Sequence, residues 1–187
     1  LCTSPYIFRF NERMQVNGRE IDDGELCDIV EFIRPHAEAM EQHPTEFELV
    51  CAITFEYFAR RKCDIAVVET GMGGRLDATN VIKSPLCSVI TNIGLDHPAV
   101  LGSTVEAIAA EKAGIIKPGC PAVLYSQGES VMDVIRSRCE QLGCPLTVTD
   151  PGKLEVLPGG IGRLEFVYRG ERYATPLLGV HQAKNAA

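Results

Sequence analysis

Three side chains of this sequence have the type and spacing to do chemistry together. Glu69 closes the apolar run DIAVVE at residues 64–69 and is followed at once by the bend GMGG, almost without bulk, and then by Arg75 and Asp77. His97 follows a second apolar run, CSVITNI at 87–93, within NIGLDHP. In an open α/β sheet, ligands bind beyond the carboxyl ends of the strands. If the two runs are neighbouring strands, a carboxylate and an imidazole converge on one crevice. One oxygen and one nitrogen ligand, with water and phosphate oxygens filling the shell, suit a divalent cation. Read singly, Glu69 serves as well in a salt bridge or a helix cap, and His97 as a partner of its own loop. Lys112, in EAIAAEKAGIIK, borders a face made by Ile108, Ala109, Ala113 and Ile116. A surface lysine is the default there, but a desolvated lysine has a depressed pKa and becomes nucleophilic toward CO2. Gly71, Gly73 and Gly74 permit positive φ and close approach of the backbone to a ligand. Their spacing is neither GxGxxG nor that of a P-loop, which sets aside a dinucleotide-binding oxidoreductase.

The elements that must position these groups can be read from periodicity. MQVNGREI is a short hairpin with Asn17-Gly18 as a type I′ turn. A helix follows, capped by Asp22, with Leu26, Ile29, Val30, Ile33, Ala37 and Met40 at helical spacing; Pro35 is expected to kink or split it. TEFELVCAITFEYFARRK is a second helix, with Thr45 and Glu48 as a capping box. The runs 64–69 and 87–93 read as buried parallel strands. A helix is expected from Ser103 to about Lys117, with Ser103 and Glu106 as its capping box. PAVLY (121–125), a helix ending at Gly143, and PLTVT complete a β-α-β alternation. The fold class is therefore α/β, a mostly parallel sheet flanked by helices. A small antiparallel β subdomain follows at 151–178, and 179–187 reads as the first turn of a helix, leaving 1–150 as the α/β part.

The chain has 187 residues, 45% of them hydrophobic, and a net charge of −7. The charge argues against a nucleic-acid partner, and no apolar run reaches the roughly 20 residues of a membrane span. Eight cysteines without a CxxC pair, lying mostly in apolar patterns, read as reduced, buried thiols of a cytoplasmic protein. The start at LCTSPY and the stop at GVHQAKNAA suggest a segment of a longer protein.

TSPYIFRFNERMQVNG, TEFE, DIAVVETGMGGRLDATNVI, SVITNIGLDHPAVLGSTVEAIAAEKAGIIKPG and LLGVHQAKNA resemble, in order, the folylpolyglutamate synthase / dihydrofolate synthase family of the Mur ligase superfamily. The resemblance covers nearly the whole chain. It implies the P-loop Mur-ligase-type central domain, lacking its first strand. It also implies an ATP-dependent ligase joining L-glutamate to a folate or dihydropteroate carboxylate through an acyl phosphate, with Mg2+ as cofactor. By resemblance, Ser4, Glu69 and His97 are magnesium ligands. Lys112 matches a carbamylated lysine whose new carboxylate helps hold the second metal or orients ligands near the γ-phosphate, and the resemblance makes His97 and Lys112 the catalytic residues. Asp77 matches a pterin-binding aspartate, Phe47 an aromatic position of the same pocket, and Arg13, in the mobile FRFNER segment, a partner for a substrate carboxylate. His181 and Asn185 match a helix on the nucleotide side.

Two departures stand out. Tyr6 replaces the histidine usual after TSP, and the Gly-rich phosphate loop that precedes TSP in the family is not in this sequence, nor is a C-terminal domain. The chain alone is therefore expected to be inactive, with an exposed sheet edge, while the full-length protein is expected to be monomeric. The alternative is a non-catalytic α/β module that binds a pterin or a nucleotide.

Overall fold

The computed structural model describes residues 1–95, 98–158 and 162–186. His97, and with it the expected meeting of an imidazole with the Glu69 carboxylate, lies outside them. The chain divides into two compact units, Leu1–Lys83 and Ser84–Ala187.

In the first unit the opening residues are a spine. Cys2 bridges Met14 antiparallel on one side and Val68 parallel on the other. Cys2 N donates to Val67 O at 2.8 Å and Glu69 N to Cys2 O at 3.0 Å; Thr3 N donates to Arg13 O at 3.0 Å and Gln15 N to Leu1 O at 2.9 Å. A 3-10 turn, Phe10–Arg13, leads into the hairpin β1 (Gln15–Val16) and β2 (Arg19–Glu20). Its turn has φ of 52° at Asn17 and 73° at Gly18, as type I′ requires. Helix α1 (Asp23–Glu38) is capped by Asp22, whose carboxylate accepts from Glu25 N at 2.8 Å. It runs unbroken through Pro35, because the proline sits in the last turn and removes a single ladder donor. Met40 falls beyond the helix and is 56% exposed. Helix α2 (Glu46–Arg60) starts on the expected Thr45–Glu48 capping box. The core joins Cys2, Met14, Ile21, Ile29, Ile53, Tyr57 and Phe58.

The run 64–69 is not a strand. It pairs through the one bridge at Val68, and Ile65 and Val67 are 70% and 64% exposed. Successive side chains of an extended segment face opposite sides, so Val68 joins the core while Ile65 and Val67 face solvent.

The second unit begins with β3 (Ser88–Ile90), α3 (Pro98–Leu101), α4 (Val105–Ala113), β4 (Ala122–Leu124), α5 (Glu129–Leu142) and β5 (Leu146–Val148). The sheet β3-β4-β5 is parallel, with Ser88 opposite Ala122 and Ala122 opposite Leu146. Ile90, Ala122 and Leu124 pack with Ile108, Ala109 and Ala113 of α4 and Val131, Ile135 and Cys139 of α5. The run around β3 is buried on one face only, since Val89 is 58% exposed.

Helix α4 is capped by Thr104, not Ser103, and ends at Ala113, short of Lys117. The Thr104 hydroxyl accepts from Ala107 N. With Thr104 as the cap, Glu106 falls at the second helical position rather than the third and closes no box; the Ser130 hydroxyl foremost holds its carboxyl below the usual range. Helix α5 ends as expected at Gly143, whose φ is 63°. Gly143 N donates to Glu140 O and Cys144 N to Cys139 O, the paired bonds of a Schellman motif. The strands β6 (Leu154–Val156), β7 (Leu164–Tyr168) and β8 (Glu171–Thr175) form an antiparallel sheet in that order, and α6 (Val180–Ala186) lies on it with Ala183 fully buried beside Phe166.

All eight cysteines are free, but only Cys2, Cys51 and Cys139 are buried; Cys27 and Cys87 are exposed, since they fall on the solvent sides of their segments. Burial, then the nearby Cys2, pushes the Cys51 thiol up to about 12; burial also raises Cys2 and Cys139. The thiolate is the reacting species. At pH 8 a thiol reagent should therefore modify Cys27 and Cys87 in the native protein, and Cys2, Cys51 and Cys139 only after denaturation, as read by peptide mapping. Rapid native labelling of Cys51 would contradict this burial. Leu124→Ala, at the buried centre of the parallel sheet, should cost about 2–5 kcal/mol in a denaturant titration.

Candidate functional site

Glu69 stands where the spine delivers it. With its amide bonded to Cys2 O, its carboxylate meets the next two residues of the opening segment. Oε2 accepts from Ser4 N at 2.9 Å and from the Thr3 hydroxyl. It is neither a helix cap nor a salt-bridge partner among the described residues. Oε1 and the half-buried Ser4 hydroxyl carry no hydrogen bond from a described residue, so both oxygens keep lone pairs free. Thr3 was not anticipated; a second hydroxyl next to Ser4 was the only signal for it. No group of three or more His, Cys, Asp and Glu among the described residues could hold a metal ion, so Glu69 is not part of a complete carboxylate, imidazole or thiolate ligand set there.

Arg13 lies across the spine from Glu69, its carbonyl bonded to Thr3 N. The guanidinium carbon sits 5.2 Å from the Tyr6 ring centre and 5.8 Å from that of Phe10, and the rings meet edge-to-face at 6.1 Å. Nε is buried with no hydrogen-bond partner. A buried donor left unmade is costly, so this cation is set up to receive an acceptor. Its cage of Tyr6 and Phe10 was not read from the sequence.

The glycine loop brings Phe47 and Asp77 to one place. A Cβ on Gly71 would stand 2.4 Å from Phe47 Cζ, so only glycine lets the ring lie on the backbone there. Gly73, at φ 66°, turns the chain. Asp77 caps the 3-10 turn Ala78–Val81: Oδ1 accepts from Thr79 N at 2.9 Å and the Thr79 hydroxyl at 2.5 Å, and Oδ2 accepts from Met72 N at 2.8 Å. Asp77 therefore shapes the loop it belongs to.

The remaining candidates lie in the second unit. Lys112 is half-buried in the last turn of α4, and no described residue pairs with its ammonium. His181, on α6, is exposed, and its ring lies over Gly179, where a Cβ would approach Cε1 to 2.6 Å. Asn185 is exposed and donates to Gln182 Oε1 at 3.2 Å.

No family model matches the sequence. It is 44% identical to a dihydrofolate synthase/folylpolyglutamate synthase of Bacillus subtilis over 99% of this chain and 45% of that protein. It is 36% identical to a probable dihydrofolate synthetase of Schizosaccharomyces pombe, over 99% and 45%. It superposes on a folylpolyglutamate synthase solved with AMPPCP and folate with a TM-score of 0.90, at 36% identity over 98% of this chain and 47% of that one. The folylpolyglutamate synthase of Thermotoga maritima gives 0.87, at 32% identity over 99% and 44%. The chain belongs to the folylpolyglutamate synthase / dihydrofolate synthase family. It has that family's α/β fold and spans 45% of the Bacillus subtilis relative and 47% of the chain solved with AMPPCP and folate.

Gly71→Ala should destabilise the first unit by about 1–3 kcal/mol through the clash with Phe47. In a double-mutant cycle, Phe47→Ala should relieve most of that cost. Additive losses would show that the ring does not lie on Gly71.

Proposed function

We propose that this chain is part of an ATP-dependent ligase, the cytoplasmic and monomeric enzyme that joins L-glutamate to the carboxylate of a folate or dihydropteroate. The observation that carries the reading is the Glu69 carboxylate, fixed by Thr3 and Ser4 through one oxygen with the other left open. Support comes from the relatives, named for that activity, and from a similar protein solved with AMPPCP and folate.

In the reaction the acceptor carboxylate attacks the γ-phosphorus of ATP, giving an acyl phosphate and ADP. The glutamate amine then adds to the acyl carbon, phosphate leaves and a proton is lost. Negative charge accumulates in both steps. Magnesium is a hard cation that takes oxygen ligands and keeps waters; Glu69 Oε1 and the Ser4 hydroxyl fit it, with His97 as a further ligand. Bound there, it supplies electrostatic stabilisation of the phosphate charge. Lys112 would add CO2 at Nζ, forming an N–C bond and releasing a proton, and the resulting carbamate would help hold a second cation. Asp77 would accept one N–H of a pterin on Oδ2, which already takes Met72 N, while Phe47 lines the same pocket. Arg13 meets an acceptor carboxylate, and His181 and Asn185 stand on the nucleotide side.

Assayed as acceptor- and glutamate-dependent ADP release, the full-length enzyme should lose about a hundredfold or more in kcat on Glu69→Gln. Lys112→Ala should fall comparably and recover in part with a short acid or high bicarbonate. This 187-residue chain, whose sequence holds no Gly-rich phosphate loop, should turn over no ATP alone. A full-length protein that binds folate without turnover would replace the ligase reading with a binding module. Wild-type rates in Glu69→Gln would remove that residue from the site.

A further inference from the structure

The stretch between Ser4 and the hairpin is organised by a side chain that no role above uses. Glu12, in the 3-10 turn Phe10–Arg13, bends back onto three consecutive backbone amides. Oε2 accepts from Ile7 N at 2.8 Å; Oε1 accepts from Phe8 N at 2.9 Å and Arg9 N at 2.8 Å. Successive amides aimed at one point make an anion-binding concavity, and here the chain fills it with its own carboxylate. The Ile7 amide foremost holds the Glu12 carboxyl below its ordinary range.

The geometry on either side follows from this clamp. With their amides turned inward, Ile7 and Phe8 carry their side chains outward, 79% and 87% exposed. On the near side, Tyr6 and Phe10 close over the Arg13 guanidinium. The far end is held separately: Asn11 Nδ2 donates to Ile21 O and to Asp23 Oδ1, each at 2.8 Å, and Arg9 pairs with Asp23 at 3.0 Å. Residues 7–9 themselves have no other listener for their amides among the described residues. Arg13 has no anionic partner there either, and its buried Nε is unmet. The shape of the 6–10 stretch thus decides how an uncompensated cation is offered.

We propose that Glu12 is a positioning residue for the acceptor: by gathering the amides of Ile7, Phe8 and Arg9 it sets the 6–10 stretch so that Arg13 is caged and aimed at an acceptor carboxylate. This rests on the ligase reading above. Glu12 touches neither nucleotide nor reacting atoms in this role. Its loss therefore weakens the acceptor ground state and the transition state alike, raising KM and sparing kcat.

Two measurements test it. The sequence contains no tryptophan, so Phe8→Trp gives this chain a single reporter at an exposed site. Adding Glu12→Ala should lower the steady-state anisotropy of that reporter with Tm unchanged within a few degrees. Glu12→Gln, which keeps one accepting oxygen, should fall between. In the full-length enzyme, Glu12→Ala should raise KM for the folate acceptor about tenfold or more, the loss of one charge-assisted bond's worth of affinity. KM for ATP and kcat should stay within about twofold, with Glu12→Gln again intermediate. Unchanged anisotropy, an unchanged acceptor KM, or a kcat loss equal to the KM effect each overturns the proposal. If the wild-type enzyme itself shows no acceptor-dependent turnover, the ligase reading falls and takes this one with it; if the wild type turns over and Glu12→Ala matches it, Glu12 alone is wrong.

Discussion

The hydrogen bonds along Leu1–Thr3 are the constraint on which the first unit depends. This short segment pairs antiparallel with Arg13–Gln15 and parallel with Val67–Glu69, so Cys2 is flanked on both sides and buried. A backbone buried without partners would be strongly disfavoured, and here both edges of the segment are used. The consequence is positional. Glu69 arrives at Ser4 on one side and Arg13 at Thr3 on the other. The backbones that carry an anion with a spare oxygen and a cation with a spare donor thus flank one short segment on its two sides.

The second unit carries its candidate groups differently, on helix ends above well-packed apolar layers. Lys112 sits in the last turn of α4, next to Ala113 and above Ile108 and Ala109, both fully buried. His181 rides on α6, which is fastened to the antiparallel sheet through Ala183 and Phe166. Long or exposed side chains on rigid, short helices keep their backbone fixed while their tips stay free to reach a ligand.

Much of this was legible in the sequence, because it is written in local chemistry. Asn17-Gly18 demands φ > 0 at two successive residues, and Thr45 with Glu48, Asp22, and Gly143 are caps whose mechanism is complete within a few residues. The parallel and antiparallel sheets followed from periodicity. The failures came where tertiary partners decide. DIAVVE has the composition of a buried strand, yet with one bridging partner only Val68 is covered. Thr104 took the cap expected of Ser103, since either hydroxyl suits and packing chooses between them. Pro35 did not break α1, because its position in the last turn made the cost small. At the site, Glu69, Ser4, Phe47 and Asp77 are named from sequence; the structure sets Ser4 N on Glu69, the Phe47 ring on Gly71 and Asp77 on Met72 N. The glycines were read as room for a ligand, and Gly71 is instead occupied by the Phe47 ring. Thr3, the Tyr6–Phe10 cage and the Glu12 clamp were missed because nothing in spacing reveals a side chain that folds back on its own loop.

The bridge between the opening segment and Glu69 joins residues sixty-six positions apart, and the loop it closes contains both helices and the hairpin. Contacts of such separation form after local ones, since the chain entropy lost in closing the loop must first be offset by structure inside it. The hairpin, α1 and α2 need no distant partner to begin. The pairing of Cys2 with Val67 and Glu69 is therefore the contact in the first unit that local structure does least to prepare. A ligand held at that seam would act as the clasp of the whole unit.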